Sequence, residues 1–430
     1  MESAHTEGIL GLSLVLVALL VVAAGIGRMR LPQSMKTLVL SALAMRVVGS
    51  VTYYALIQWF YGGGDYVLYY EFGQDYARRI GRADFSMFYD STEWLGGHWW
   101  STQFVCFCAG IIAATVGSNI LTAFILFSVL AFVGLVGFVL AFRASFPEAS
   151  VERYARWAWL FPSLWFWTAA LGKDALLLCG LGVATWGFVG RAGRINWLLL
   201  SVGILAVFCV RPQVAAVTVL AIVLAQWAAT ANRWSTLNTF QGIALVVAGL
   251  WVINVGLTSA GSGGSVEEVT EYVEGRAAVA DRSGTTVGDV APGWSRAPMA
   301  LVNILFRPLP WEVRSATGLI ASLEIWGLWA LAFAKRRNIM AALREWRSSR
   351  LLSFSIIFVL VYAAALGMVV VNLGIIARQR IVLFPLIFLL FEAKAHVTRG
   401  VEADPGRRTL RRPTGRPAVP TGAVRPLSGR

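Results

Sequence analysis

The sequence predicts an all-α, polytopic transmembrane protein, and three observations carry that prediction. Of 430 residues, 57% are hydrophobic and only 14% charged, whereas soluble domains carry about a quarter charged residues. The mean hydropathy is +0.66. Several apolar runs exceed the roughly 18 residues that mark a helix able to cross a hydrocarbon core of about 30 Å. Most of such a chain is solvated by lipid, and its expected place is the cell membrane, crossed many times.

The formal net charge of +14 has a distribution that argues for a membrane surface. From Lys394 to the end there are nine Lys/Arg and two acids, which is half of the total. A second block runs from Lys335-Arg336-Arg337 through Arg344, Arg347 and Arg350. Both read as cytoplasmic, positive-inside segments facing anionic lipid. No stacking aromatics interleave the tail, so nucleic acid is not an expected partner. Cys106, Cys108, Cys179 and Cys209 lie within apolar runs without His or acid neighbours and read as small buried hydrophobes.

Taken in order, Gly8 to Gly27 is the first expected span, closed on the cytoplasmic side by Arg28, Arg30 and Lys36. No basic residue precedes it, so it reads as a retained span and not a signal peptide. Thr37 to Phe60 then crosses outward and delivers Tyr61-Gly-Gly-Gly-Asp65-Tyr66-Val-Leu-Tyr69-Tyr70-Glu71. The glycines allow a sharp turn, and the acids and rings suit a sugar site or an interfacial aromatic belt. The external loop from Tyr61 to about Thr102 holds six acids against three arginines. Phe104 to Gly117 is apolar but short. Counting it as a span would place Arg143, Arg153, Arg156, Arg191 and Arg194 outside, so it is expected to lie in the interface.

Asn119 to Phe142 is a full span. Trp157 to Ala170 is expected to run outward to Gly172-Lys173-Asp174, and Ala175 to Val189 to return. Asn196 to Val210 leads out to Arg211-Pro212-Gln213, Val214 to Ala231 returns, and Gly242 to Thr258 goes out again. A second external loop, about 259–315, starts Gly/Ser-rich and ends Phe306-Arg307-Pro308-Leu-Pro-Trp311-Glu312. Ala316 to Ala334 descends to the basic block, Leu351 to Asn372 ascends to Arg378-Gln-Arg380, and a last span leads to the tail. The expectation is about eleven spans with the N-terminus outside and the C-terminus inside. No internal repeat supports an inverted-repeat transporter.

With this parity the unusual polar residues all reach the external face: Asp65, Glu71, Asp75, Lys173, Asp174, Arg211, Arg307, Glu312, Arg378 and Arg380. Ionisable groups at membrane depth by default line a cavity. Arginines grip phosphate through a bidentate fork, a carboxylate takes a proton from an attacking hydroxyl, and Tyr and Trp faces suit sugar rings. Plainer readings stand beside these. Lys173–Asp174 fits an interface pair, Arg211 before Pro212 a snorkelling side chain, and Arg378 with Arg380 a topogenic pair. Arg46, in mid-span, requires a buried partner.

This ordering resembles the GT-C superfamily of membrane glycosyltransferases, including the protein mannosyltransferase-like and lipid A aminoarabinose transferase-like enzymes. The likeness is carried by Asp65 opening the first outer loop and by the short stretch ending Val116-Gly117-Ser118-Asn119 before a full span. Phe161-Pro-Ser-Leu-Trp-Phe-Trp167 leading into Lys173-Asp174 completes it. It covers about the first half of the chain, which lacks an opening Asp-x-Asp or Asp-Glu pair and any large soluble C-terminal domain. The second half, with Phe306-Arg307-Pro308, Arg211 and Arg378-Gln-Arg380, is also similar to Wzy-type polysaccharide polymerases, which hold lipid pyrophosphate with external arginines.

The resemblance implies an inverting transferase in cell-envelope or exopolysaccharide assembly. The donor would be a polyprenyl-phosphate-linked sugar and the acceptor a glycan, lipid or protein on the outer face. Asp65 would be the base, with Glu71 and Asp174 as further catalytic candidates. Lys173, Arg211, Arg307, Arg378 and Arg380 would bind donor phosphate, and Tyr66, Tyr69, Tyr70 and Trp311 would stack on sugar. No cofactor is assigned, and a divalent metal, which some members bind, is left open. Residues 1–393 would form the transmembrane catalytic domain and 394–430 a basic, compositionally disordered cytoplasmic tail. A Wzy-like polysaccharide polymerase is the alternative enzyme, and a transporter or flippase of lipid-linked sugars the alternative of another class, but the latter calls for polar groups near the midplane on broken helices.

Overall fold

The computed structural model describes residues 2–191, 193–230, 297–313, 316–370 and 372–393. The regular elements among them are helices, as the composition predicts, with one isolated bridge between Arg191 and Arg194. Helix α1 spans Glu2–Arg28 and α2 Gln33–Leu56. A π-turn, Ile57–Tyr61, follows, and Gly62 takes a left-handed φ of 67° that reverses the chain into α3, Asp65–Gly81. Of the three glycines at this turn, only Gly62 has a conformation that a side chain would strain.

Short 3₁₀ turns lead from α3 to α4, Thr102–Val116. Asn119 caps α5, Ile120–Ser145, its side chain accepting from the amides of Leu121 and Thr122 at 2.9 and 3.1 Å. Ser150 caps α6, Val151–Leu160, which stops because Phe161 precedes Pro162 and is extended. The five-residue α7, Pro162–Phe166, follows, then α8, Lys173–Val189, α9, Trp197–Val210, and α10, Pro212–Thr230.

Beyond residue 296 come α11, Ala297–Phe306, α12, Ala316–Ala334, and α13, Arg336–Arg344. They are followed by α14, Arg350–Val369, α15, Leu373–Gln379, and α16, Phe384–Glu392.

Six helical segments are long and apolar enough to cross a membrane: Gly8–Arg28, Gln33–Phe60, Ile120–Ser145, Pro212–Ala229, Arg350–Gly367 and Leu373–Glu392. A seventh is α12 with α13, counted as one broken span. Two expectations change in detail. Trp157 to Ala170 is not one helix, because Pro162 divides it. The turn expected at Arg378-Gln-Arg380 falls earlier: Asn372 caps a new helix by accepting from the amides of Gly374 and Ile375, so both arginines lie inside the last helical segment. The apolar run continues across that turn and conceals it. The expected span 242–258, the loop from 259 to 296 and the tail 394–430 lie outside the described residues.

Side-chain contacts define two ends of the bundle. At one end Ser34 donates to Glu152 (2.9 Å), Lys36 to the Gly27 carbonyl (2.8 Å), and Arg350 to the Gly193 carbonyl (2.8 Å). There the buried Glu392 carboxylate holds both Arg153 (3.2 Å) and Lys335 (3.1 Å). The basic turns of the sequence therefore gather at one end. Asp65, Asp174, Arg211 and Arg378 meet at the other. Helix α4 begins beside Lys173, which donates to Thr102. It ends where Gly8 and Gly11 of α1 pack on Val116 and Ser118. Gly8 is about 30 Å along α1 from the basic end, so both ends of α4 stay with the site and α4 does not traverse the bundle.

Helix α8, which presents Lys173 and Asp174, is fixed by close backbone approach to α5 and α9. A Cβ on Gly182 would lie 1.9 Å from the Gly134 carbonyl oxygen, and one on Gly203 2.3 Å from the Ala184 nitrogen. Small residues at such crossings let helices meet without the area-driven force available in water. The expected result for Gly182→Ala is a loss of about 1–3 kcal/mol from overpacking, read as a lowered melting temperature in detergent. Gly327→Ala, where an added Cβ meets nothing within 4 Å, should melt with the parent.

Candidate functional site

The site is assembled at the breaks between helices. Asp174 sits in the first turn of α8 and is 3% exposed. Its Oδ1 accepts from Arg211 Nη2 at 3.1 Å, and its Oδ2 pairs with Arg378 Nε. Arg211 occupies the break between α9 and α10, and Pro212 fixes that break by starting a new helix. Arg378 comes from α15, so three distant segments share one buried carboxylate. A buried ion pair requires such additional partners to offset desolvation.

Arg378 also faces Asp65, whose Oδ2 is 3.7 Å from Arg378 Nη1 and whose side chain is 71% exposed. Two carboxylates thus share one guanidinium, one sealed in and one open to solvent. Lys173 donates to Ser101 Oγ at 2.9 Å and Thr102 Oγ1 at 3.0 Å. Formally the group Asp65, Lys173, Asp174, Arg211 and Arg378 holds three cations and two anions, a surplus of one positive charge. Tyr69, buried on α3 beside them, has its phenol raised above the ordinary tyrosine range, first by burial and then by the neighbouring Asp65 charge. It stays neutral, and because its ring is buried and does not line the adjoining cavity it offers no face to a sugar.

Next to this group lies a cavity of about 430 Å³. Asp65, Arg378, Glu312 and the rings of Tyr53, Tyr66 and Trp167 contribute to its wall. The lining combines apolar and aromatic surface with a few charged groups, the usual composition of a small-molecule site.

The segment 161–172 that leads into Lys173 is clamped from both sides. Arg46 of α2, completely buried, donates through NH1 to the Leu164 carbonyl and to Thr168 Oγ1, both at 3.0 Å. Ser50 donates to the Ala169 carbonyl at 3.0 Å. From the other side Glu324 of α12 accepts from the Ser163 amide at 2.7 Å and from the Ser163 hydroxyl. In mid-span Arg46 thus bonds one carbonyl and one hydroxyl of a broken helix, and its guanidinium lies over the Phe132 ring at 5.6 Å. Glu324 was not among the expected site residues, although it is the lone acid in the apolar run 316–334.

The remaining expected residues are placed apart. Glu71 is exposed on α3 and does not line the cavity. Tyr70 donates to the Ser118 carbonyl at 3.1 Å and ties α3 to the start of α5. Trp311 is 74% exposed and meets Trp326 edge-on at 6.3 Å. Asp75 pairs with Arg78 and Arg79 on its own helix. Arg307 is held in a fork by Glu312, with contacts of 2.6 and 2.9 Å. Burial opposes the charged form of Glu312, yet Arg307 and the Leu309 amide hold its carboxyl below the ordinary glutamate range. Arg380 is buried and donates to the carbonyls of Arg307 and Ala321. It positions the 307–312 turn and does not face the cavity.

Among the described residues, no group of three or more His, Cys, Asp or Glu side chains is arranged to hold a metal ion. The two nearest carboxylates, Asp65 and Asp174, have a guanidinium between them, a donor set that does not fit a divalent ion. Comparison with protein-family models, with curated proteins and with solved structures found no match.

Proposed function

We propose that the chain is a membrane glycosyltransferase of GT-C-like arrangement, crossing the membrane about eleven times with its basic end in the cytoplasm. It moves a sugar from a polyprenyl-phosphate-linked donor to an acceptor hydroxyl on the outer face, in cell-envelope or exopolysaccharide assembly. The observation that carries this reading is the solvent-open Asp65 carboxylate beside Arg378, at the wall of an aromatic-lined cavity.

In this reaction Asp65 accepts the proton of the acceptor hydroxyl as its oxygen forms the new bond to the anomeric carbon. The bond from that carbon to the phosphate oxygen breaks, its electron pair leaving with the polyprenyl phosphate. Arg378, at the cavity wall, faces the negative charge that develops there, and Arg211 with Asp174 keeps Arg378 in place. Tyr66 and Trp167 supply the apolar faces against which a sugar ring can lie.

The direct test uses the protein reconstituted in liposomes with a polyprenyl phosphate bearing a radiolabelled sugar. Protein-dependent loss of label from the lipid, together with its appearance on acceptor, is the expected result. If no polyprenyl-phosphate sugar of a representative panel binds or is consumed, the proposal is wrong. The arginine supplies a second measurement. Arg378→Lys should weaken donor binding by roughly tenfold or more, because losing one charge-assisted hydrogen bond costs about 1.5–3 kcal/mol and an ammonium lacks the planar fork. A Lys variant with unchanged donor affinity would reduce Arg378 to a topogenic charge.

A further inference from the structure

At the end of the bundle remote from Asp65, α12 and α13 meet at Lys335 with a bend of 70°. At the elbow lies an open surface hollow of about 360 Å³ lined by Trp329, Ala332, Phe333, Arg336, Ile339 and Met340. The lining is apolar except for one guanidinium. Arg336 lies over the Phe333 ring at 4.5 Å and donates to the Phe333 carbonyl at 3.1 Å, so its charge sits at the rim of an apolar hollow.

The two sides of α13 are used differently. Lys335 turns inward to Glu392 at 3.1 Å, Asn338 donates to the Phe391 carbonyl at 2.7 Å, and Ala342 is buried. These contacts seat the helix on α16. Arg336, Arg337, Met340, Leu343 and Arg344 are exposed on the other side. Along α12 the face leading to the elbow exposes Leu323, Trp326 and Phe333. That face is apolar where lipid chains would run, and it becomes cationic where headgroups would lie.

We infer that the α12–α13 elbow binds an anionic phospholipid, with an acyl chain in the hollow and the phosphate between Arg336 and Arg337. Charge complementarity selects this occupant. A short helix with cations and apolar side chains on its exposed side, set at 70° to a spanning helix, is the arrangement of a segment lying in the headgroup region. Each Lys or Arg at an anionic membrane surface adds roughly fivefold in affinity, so the two arginines together favour an anionic headgroup by about 25-fold. The other end of α12 carries Gly318 and Ala321 at the cavity wall, so the lipid holds the inner end of a helix that shapes the site. The inference does not depend on what chemistry occurs there.

Native mass spectrometry of the full-length protein, titrated with phosphatidylglycerol or phosphatidylcholine in detergent, tests it. The wild-type protein should retain phosphatidylglycerol at least tenfold more tightly than phosphatidylcholine. R336Q/R337Q should lose that preference, while R78Q, removing an exposed cation at the opposite end, keeps it. All of these side chains are exposed, and melting temperatures equal to wild type will confirm that each variant is folded. Equal retention of the two lipids by the wild type would overturn the inference, as would an undiminished preference in R336Q/R337Q.

Discussion

Asp65→Asn is expected to abolish transfer while the protein accumulates and melts as the wild type does. The amide keeps the shape of the carboxylate and removes its basicity. General-base catalysis typically contributes about a hundred- to ten-thousand-fold in rate, and the loss in turnover should fall in that range. The side chain is 71% exposed, and its ion pair with Arg378 is long at 3.7 Å. Removing an exposed pair of this kind alters stability by about 1 kcal/mol at most. Donor binding measured on the variant should persist, which separates chemistry from assembly of the site. Glu71→Gln serves as the control, because Glu71 is exposed on the same helix but away from the cavity; it should leave turnover unchanged. Near-normal transfer by Asp65→Asn would remove Asp65 as the base.

The second large effect is expected at Asp174, and it is of a different kind. Asp174→Asn leaves Arg211, 12% exposed, and Arg378, 30% exposed, facing each other without the carboxylate that both now contact. Removing one partner of a buried pair costs about 3–5 kcal/mol, because the uncompensated charge stays behind. The variant should therefore melt at a much lower temperature and lose activity as a consequence of that instability. Pairing it with Arg211→Gln removes one of the stranded cations. The double variant should recover part of the loss, which in a double-mutant cycle appears as a coupling of about 0.5–3 kcal/mol. If Asp174→Asn melts like wild type yet is inactive while Asp65→Asn retains near-normal transfer, Asp174 is the proton acceptor and Asp65 is not.

These two expectations contrast because the two acids are indistinguishable in sequence. Each is the first acid after an apolar run and lies within two residues of a glycine, Gly64 before Asp65 and Gly172 before Asp174. Only the tertiary structure makes one a sealed structural anion and the other an open carboxylate. The same holds for the arginines. Arg378 and Arg380 are separated by one residue, but a helical step between them turns Arg378 toward Asp174 and Asp65. It sends Arg380 to the carbonyls of Arg307 and Ala321. Local composition carries no record of which carbonyl or carboxylate will stand opposite a side chain.

The sequence by itself determined the helical class, the presence of helices long and apolar enough to cross a membrane, and the segregation of basic turns from the acid-rich ones. Those properties follow from hydropathy and charge, which act on each segment against a uniform solvent and hence can be read segment by segment. The N-caps at Asn119, Ser150 and Asn372 are local signals too, but hydropathy and charge do not register them, and the structure moves the turn expected at 378–380 back to Asn372. What only the tertiary structure decided was pairing. Arg46 is matched to residues 164 and 168, Glu324 to Ser163, and Arg211 and Arg378 to Asp174. Each of the last three partnerships joins side chains between 37 and 204 positions apart. In a low-dielectric interior an unpaired polar group is costly, so the fold must bring such partners together, but the cost is the same whichever partner meets it. The choice among partners rests on helix packing, and at α8 that packing rests on glycines whose role appears only when two backbones touch.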